Sequence, residues 1–489
     1  MLASVSTAAV IPEGTVLSVR QRVAVGTRFS KVGDPVSAVL LGSISTQDRT
    51  ILPAGSGLYG RVTMVRKVGL GFKHQTASLA LDFDSIRLTE GKVLSIDARM
   101  KRVENAREWV DPGGRIHGIG PVTNVSSTLA VGAWRLLAIA PGVGVPVWAT
   151  KLLFAPAPDT EITFAAGTEY RLELTRDLRV DESDLSDSGL PTHLLHRDIR
   201  TQAEAILGAL SSQHAQRVSG GPADLVNLIF LGSADGVTRA FQAAGWSTAD
   251  PQAARSAIQS YFSIMQRTGY RTAPMATMFL NGNRSDIELQ KNLDSFAKRH
   301  HLRIWARPDT TPGENVWVAA ATEDIGIKFS KHTRTFTHAI DGNVDTERTK
   351  VMDDLLYTGC VSDAGLIGRN DLPAYMENGT GTRLKTDGRV AVIRLGECTQ
   401  PRVMPGVEGP ARTSVLRALA TSLRTELIRS NFISLAFDGL LLTSYTRTFL
   451  FRGPSRDDTG TALTRQQVEW LGEKEPAERA SVPQEAPEP

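Results

Sequence analysis

His300 and His301 stand side by side, and His338, Asp341 and Asp345 follow downstream. Imidazole and carboxylate are the ligand types of zinc, iron and manganese. One of the two adjacent histidines, taken with His338 and Asp341 or Asp345, would make a divalent-metal centre, and its chemistry would be hydrolysis. The local alternative is that His300 and His301 close a helix, where a positive ring is favoured beside the last carbonyls. That account is the stronger one at each position, so His300, His301, His338 and Asp341 are expected to be structural. His332 and His338 lie six apart, a spacing that matches no helical ligand pair. Asp345-Thr346-Glu347-Arg348 reads either as an acid/base pair or as a helix start with acids at the positive end of the dipole and Arg348 ion-paired nearby. The helix start is the better account. Gly232-Ser233 between an apolar run and a helix would cradle an anion or, more simply, make Ser233 an N-cap. No phosphate-loop motif, nucleophile elbow or H-E-x-x-H stretch occurs. The residues therefore assign no catalytic group and no cofactor, with a divalent metal as the alternative.

Cys360 and Cys398 are the two cysteines of the chain, and neither lies in a C-x-x-C pair. A structural zinc site is excluded on that spacing. Each follows a regular element, so a disulfide between them is expected if the protein is exported, given Cα atoms within about 7 Å. The competing reading is two unrelated thiols, buried as small apolar groups.

A chain of 489 residues implies two to four domains, and 41% hydrophobic against 22% charged content is ordinary for a globular protein. The net charge of +3 and the lack of any basic block interleaved with aromatics exclude a nucleic-acid partner. Met1–Val10 is small and apolar but lacks a basic start and a full apolar stretch. It reads as a short flexible terminus, or as the end of a leader whose start lies upstream.

One phrase recurs in the N-terminal half, as Ile11-Pro12-Glu13-Gly14-Thr15, Leu52-Pro53-Ala54-Gly55-Ser56 and Phe164-Ala165-Ala166-Gly167-Thr168. It predicts a tight turn running into a strand. Tyr170, Leu172 and Leu174 alternate with Arg171 and Glu173, and Leu79, Leu81 and Phe83 do the same. Short strands with turns between them predict an all-β barrel or sandwich over 11–108 plus 160–180. Between its parts, the hydrophobic insertion 127–154 carries only Arg135 and Lys151 as charges and is long enough to cross a bilayer of about 30 Å. Its prolines make a broken helix or hairpin packed on the barrel the alternative.

An acidic linker and a helix over Ile199–Val218 fill 181–221. A mixed α/β (α+β) module then spans 222–400. Leu225–Leu231, Ala276–Leu280, Leu302–Ala306, Val316–Ala321 and Arg389–Leu395 read as strands. Val237, Phe241 and Ala244 mark a helix stopped by Gly245. Ser285-Asp286-Ile287-Glu288 has the capping-box pattern and predicts a helix burying Leu289, Leu293 and Phe296. Asp345–Leu356 is a further short helix. Trp246, Trp305 and Trp317 flank apolar runs and are expected in the core. Residues 410–452 hold an amphipathic helix, Ser414–Ile428, and an apolar segment. The stretch 453–489, rich in Glu, Pro and Ala at its end, is expected to be a disordered tail.

The C-terminal module resembles the LssY C-terminal-like domain. The resemblance rests on Leu228-Ile229-Phe230-Leu231-Gly232-Ser233, Ala243-Ala244-Gly245-Trp246, Arg299-His300-His301-Leu302-Arg303-Ile304-Trp305, Val316-Trp317-Val318-Ala319-Ala320-Ala321-Thr322, Thr337-His338-Ala339-Ile340-Asp341 and Asp345-Thr346-Glu347-Arg348. The N-terminal module is similar to the TrbI-like β-barrel of conjugation and type IV secretion scaffold proteins, on its Gly-Thr and Gly-Ser turn phrases, Pro53-Ala54-Gly55-Ser56 and Leu81-Asp82-Phe83-Asp84. In that scaffold family a hydrophobic insertion reaches the outer membrane, and 127–154 occupies a similar kind of position. Neither resemblance implies a catalytic residue. Together they imply a cell-envelope structural or interaction protein, periplasmic or membrane-associated, whose partner is an envelope protein or a membrane surface. The alternatives are a metal-dependent hydrolase built on His300, His301, His338 and Asp341, and a soluble cytoplasmic binding protein. The linker and the glycine-proline break near 220 imply that the two modules fold separately.

Overall fold

The computed structural model describes residues 8–406 apart from 47–48, 69–75, 90, 121–157, 182–194, 211–213, 218–220, 292–294, 296, 308–314, 331–334 and 370–374, together with 416 and 420. The insertion expected at 127–154, most of the acidic linker, the helix expected at Ser414–Ile428, the apolar segment after it and the tail 453–489 lie outside the described residues. So do the side chains of Leu293 and Phe296.

Each recurrent phrase makes the same turn. Thr15, Ser56 and Thr168 donate their backbone N–H to the carbonyls of Pro12, Pro53 and Ala165, each at 3.2 Å. Gly14, Gly55 and Gly167 take the positive φ that such a turn requires at its third residue. A strand starts at once after each. These strands are β1 (Val16–Gln21), β3 (Gly57–Arg66) and β6 (Glu169–Leu174), joined by β2 (Pro35–Leu40), β4 (Ser78–Arg87) and β5 (Val93–Val103). They pair antiparallel in the order β4-β3-β2-β1-β6-β5, and β5 returns to β4, closing a six-stranded barrel with no free edge. Leu172 sits opposite Leu17 on one side and Met100 on the other. Leu79, Leu81 and Phe83 point into the same core, as their alternation predicted.

The C-terminal module is built on a mixed sheet. Its strands are β7 (Leu228–Leu231), β8 (Ile287–Lys291), β9 (Lys298–Ala306), β10 (Val316–Ser330), β11 (Thr335–Ile340), β12 (Val361–Gly368) and β13 (Arg389–Leu395). The order is β8-β9-β10-β7-β13-β12, with Ser247–Thr248 at the β8 edge and β11 on the far half of β10. The β7–β13 pair is parallel and the other pairs are antiparallel. Helices α1 (Arg197–Gly208), α2 (Ala234–Ala243), α3 (Ala254–Gln266) and α4 (Val344–Thr358) complete the module. Buried residues of α2 and α4 cover one face of the sheet and those of α1 cover the other. Ser233 is the N-cap of α2, its hydroxyl accepting from the Gly236 N–H at 3.1 Å. Trp246, Trp305 and Trp317 are buried.

Several local readings change. The Ser285 hydroxyl donates to the Glu288 carboxylate at 2.7 Å, side chain to side chain, instead of each capping a backbone N–H. The chain continues as β8 rather than as a helix, because Ile287–Lys291 pairs along β9. The helix expected over Ile199–Val218 stops at Gly208, and His214–Arg217 is a strand. Helix α3 was not foreseen. No helix among the described residues is long and apolar enough to cross a membrane.

The described residues fall in one compact unit. Val39 and Leu41 of the barrel pack into the apolar cluster of the C-terminal module, and beside them the join holds a group of buried charges. Arg20 of β1 and Glu169 of β6 meet at 2.9 Å. Glu169 also accepts Lys291 Nζ at 2.6 Å and Lys350 Nζ at 2.9 Å. Both lysines reach Asp354, which in addition accepts the Trp246 indole N–H at 2.9 Å. Burial opposes the charge on Glu169, but Lys291, Lys350 and Arg20 hold its carboxyl well below the usual range. Burial draws Lys291 down to about 8. Lys350 is also buried, yet Asp354 and Glu169 hold it above the usual lysine value. Close approach needs glycine here: Gly245 has φ +82°, and a Cβ on it would lie 2.9 Å from the Arg20 guanidinium.

This seam changes what is expected of separated modules. A fragment beginning at Pro222 would lack Arg20 and Glu169 and leave two buried lysines facing Asp354 alone. In the full chain, Glu169→Gln should cost about 3–5 kcal/mol, as removal of one partner from a buried ion pair does. Urea unfolding followed by separate probes of the barrel and the sheet should show both transitions moving together. A shift confined to the barrel would count against a shared seam.

Beside the seam, Asp353 lies over Gly42, where a Cβ would come within 2.6 Å of its carboxylate. Burial, with Asp354 adding repulsion, lifts its carboxyl from 3.8 to about 7. The folded state therefore binds the extra proton, and stability from this group falls as pH rises between about 4 and 7. The stability gained by Asp353→Asn should accordingly be larger at pH 8 than at pH 5 in denaturant titrations. An equal gain at both values would refute the assignment.

Candidate functional site

The histidine pair lies within β9, not at a helix end. A strand sends alternate side chains to opposite faces, so the run Arg299-His300-His301-Leu302-Arg303-Ile304-Trp305 is divided. His300, Leu302 and Ile304 face α2 and α4, whereas Arg299, His301 and Arg303 share the face of Trp305. Antiparallel pairing then sets Arg299 opposite Asp324, His300 opposite Glu323 and His301 opposite Thr322 of β10. The C-capping account of the histidines is thus corrected. What outweighs it is the ladder with β10, which runs on through Ser330, past the end expected at Ala321.

On the first face, His300 and Glu347 of α4 meet through Nδ1 and Oε2 at 2.7 Å, both fully enclosed. One ligand-type atom each from His300, Glu323 and Glu347 lies within 4.8 Å of the other two. Imidazole with two carboxylates is a suitable donor set for a divalent cation. Both carboxylates already have partners. Arg102 of the barrel pairs with Glu323. Burial opposes protonation of His300, but Glu347 outweighs it and raises the ring's pKa above the ordinary value. Burial likewise lifts the Glu323 carboxyl. A metal held here would be structural, since the trio lies on the sheet face turned away from the cleft described next.

On the second face, Arg299, His301 and Arg303 form part of the wall of a cleft of about 430 Å³, together with Asp224, Asp324 and His338. Asp324 is its organising group. It accepts Arg299 Nε at 2.9 Å, pairs with His301 Nε2 at 2.9 Å and lies 3.2 Å from His338 Nδ1. Burial opposes its charge, but His301, His338 and Arg299 hold its carboxyl far below the usual range. Arg303 donates to Asp224 at 2.8 Å and to His301 Nδ1 at 3.2 Å. A guanidinium can only donate, so Nδ1 accepts and the ring proton sits on Nε2, facing Asp324. His338 of β11 is the partly exposed member, and burial lowers its pKa. A neutral imidazole steadied by a carboxylate is able to accept a proton. The described lining holds neither serine nor cysteine, and its hydroxyls are those of Thr277, Thr337 and Thr380.

The four residues proposed as one metal set are therefore separated. His301 and His338 share Asp324 on the cleft side, and His300 is on the opposite face. Asp341 is not among the grouped ligand atoms of either cluster, though its charge acts on Arg102 beside Glu323. Its N–H donates to the Glu323 carbonyl and its side chain accepts the Asn343 N–H at 2.9 Å, just before α4. Asp345 holds Arg348, Thr386 and the Asp387 N–H, as the helix-start reading of 345–348 implied. Asp324, Glu323 and Asp224 were not foreseen. The signal was present as Thr322-Glu323-Asp324, a polar run at the end of an apolar strand whose charges complement Arg299-His300-His301 in antiparallel register.

Cys360 follows α4 and Cys398 follows β13. They are joined as a disulfide with Cα atoms 4.8 Å apart.

Residues 207–390, within the C-terminal module, match the family model described as LssY C-terminus. Among solved structures, the chain is similar to ComB10 of the Com type IV secretion system of Helicobacter pylori, at 10% identity and a TM-score of 0.19, over 34% of this chain and 88% of that one. No curated protein matches the chain.

Asp324→Asn should loosen Arg299, His301 and His338 together and cost about 3–5 kcal/mol of stability. The chemical shifts of both imidazoles should move in this variant. If only one of the two rings responded, Asp324 would not be their common anchor.

Proposed function

We propose that this chain is a cell-envelope interaction protein in which the barrel and the LssY C-terminus domain act as one body that presents the Asp324 cleft to a partner. The observation that carries the reading is the Cys360–Cys398 pair, since such bonds persist in oxidising compartments such as the periplasm. The bond closes a loop over a separation of 38 residues, and in the chain-entropy model this stabilises by about 4 kcal/mol. It secures the end of α4, the helix that supplies Glu347, Lys350 and Asp354.

Binding rather than catalysis is the reading the cleft supports. Its arginines and His301 are committed to internal partners, and its polar wall suits a hydrogen-bonding segment of an envelope protein. Strand β11 lines the same cleft through Thr337, His338 and Ile340 and pairs only with β10 among the described residues. An edge of this kind accepts an added strand from a partner.

Alkylation of unreduced, denatured protein from envelope fractions should label neither cysteine, and reduction should lower stability by roughly 3–4 kcal/mol. Two free thiols, or recovery of the protein solely in the cytoplasmic fraction, would overturn the assignment.

A further inference from the structure

We propose that helix α3 (Ala254–Gln266) is an interfacial helix that seats Ile258, Tyr261 and Ile264 in the surface of an anionic phospholipid bilayer. The inference rests on the envelope reading only in that the envelope places such a surface within reach.

The helix is turned inside out. A surface helix of a globular protein normally buries its apolar stripe and exposes its polar one. Among the described side chains of α3 the buried ones are Ser256 and Ser263, while Ile258, Tyr261 and Ile264 are 59%, 42% and 41% exposed. At 3.6 residues per turn, Ile258, Tyr261 and Ile264 form one stripe, and the two serines lie on the opposite side. This orientation is set by bonds at both ends. The Ser256 hydroxyl accepts the Ala253 N–H at 3.0 Å and reaches the Pro251 and Ala253 carbonyls at 2.9 Å. At the other end Arg267 takes a left-handed φ of 51°, and the Thr268 N–H returns to the Ser263 carbonyl at 3.0 Å. Beyond it, Tyr270 and Thr272 both hold Asp250, so the segments flanking the helix are tied together.

Charge selects the occupant of the stripe. From Pro251 to Ser285 the chain holds Arg255, Arg267, Arg271 and Arg284 and not one aspartate or glutamate. An apolar stripe with a tyrosine, on a helix that has Arg255 in its first turn, Arg267 as its C-cap and no acidic residue of its own, suits a surface of phosphate headgroups over acyl chains. Tyrosine is itself favoured at that boundary. A second copy of the chain would set the arginines of this helix against themselves, which like charges disfavour.

The test uses the full chain with vesicles of phosphatidylcholine, with and without phosphatidylglycerol. Ile258→Asn with Ile264→Asn should weaken partition onto the anionic vesicles roughly ten-fold, through the apolar area lost. Arg255→Gln should weaken it about five-fold on those vesicles alone, as one basic residue near an anionic surface does. Because other segments could also bind lipid, a solvatochromic dye on Ile258→Cys reports this helix directly. A blue shift with anionic vesicles is expected. No shift, or unchanged partition of the isoleucine variant with its melting curve intact, would overturn the proposal. So would a shift that appears without vesicles and follows dimer formation, which would place a second copy on the stripe. Loss of lipid binding with the disulfide present would sink this proposal alone. Free thiols with lipid binding retained would sink the localisation alone.

Discussion

The Glu169 carboxylate is the point on which the two halves of the molecule turn. It lies at the start of a barrel strand and is enclosed by Arg20, Lys291 and Lys350, with Asp354 closing the group from α4. Three positive and two negative side chains are thereby taken out of water, a cost that mutual attraction offsets only when the geometry is held closely. Lys291 carries the strain of the surplus cation, since burial lowers it while its neighbour Lys350 is held charged. A barrel and a sheet meeting on apolar surface alone could slide. A network in which every acid answers at least two cations has one position that satisfies it.

That fixed relation gives α4 its part. Glu347, Lys350 and Asp354 recur at helical spacing along one stripe, so a single helix delivers one charge to His300 and two to the seam. The disulfide holds the segment just after this helix to the end of β13. Arg102 extends the same connection from barrel strand β5 to Glu323 on β10. Barrel, helix and sheet are thus linked through charges that are individually costly and collectively specific.

Strand β9 separates two environments that its sequence interleaves. On one face, His300 is enclosed with carboxylates, and Glu347 raises its pKa. On the other, His301 keeps a defined tautomer because Arg303 occupies one nitrogen and Asp324 the other. The same residue type one position apart therefore has two roles, and the pleat of the strand is the whole cause.

The turn phrases were legible because their glycines act locally: a positive φ at Gly14, Gly55 or Gly167 needs no distant partner, and the strand after each follows from simple alternation. Ser233 as N-cap and the start of α4 were readable for the same reason. The cysteine pair was readable as a candidate, from two residues and their places beside regular elements. What the sequence could not disclose was pairing. Ser285 and Glu288 have the spacing of a capping box, yet their side chains bond to each other and the strand ladder with β9 determines the backbone. His300, His301, His338 and Asp341 look like one set in a linear text, and sheet register deals them to different faces and substitutes Asp324, Glu323 and Glu347 as their partners. Glu169 shows no distinction in sequence at all, one acid in an alternating strand. Its role arises only when chain segments far apart are brought within hydrogen-bonding distance, because the free energy of a buried charge depends on its neighbours in space.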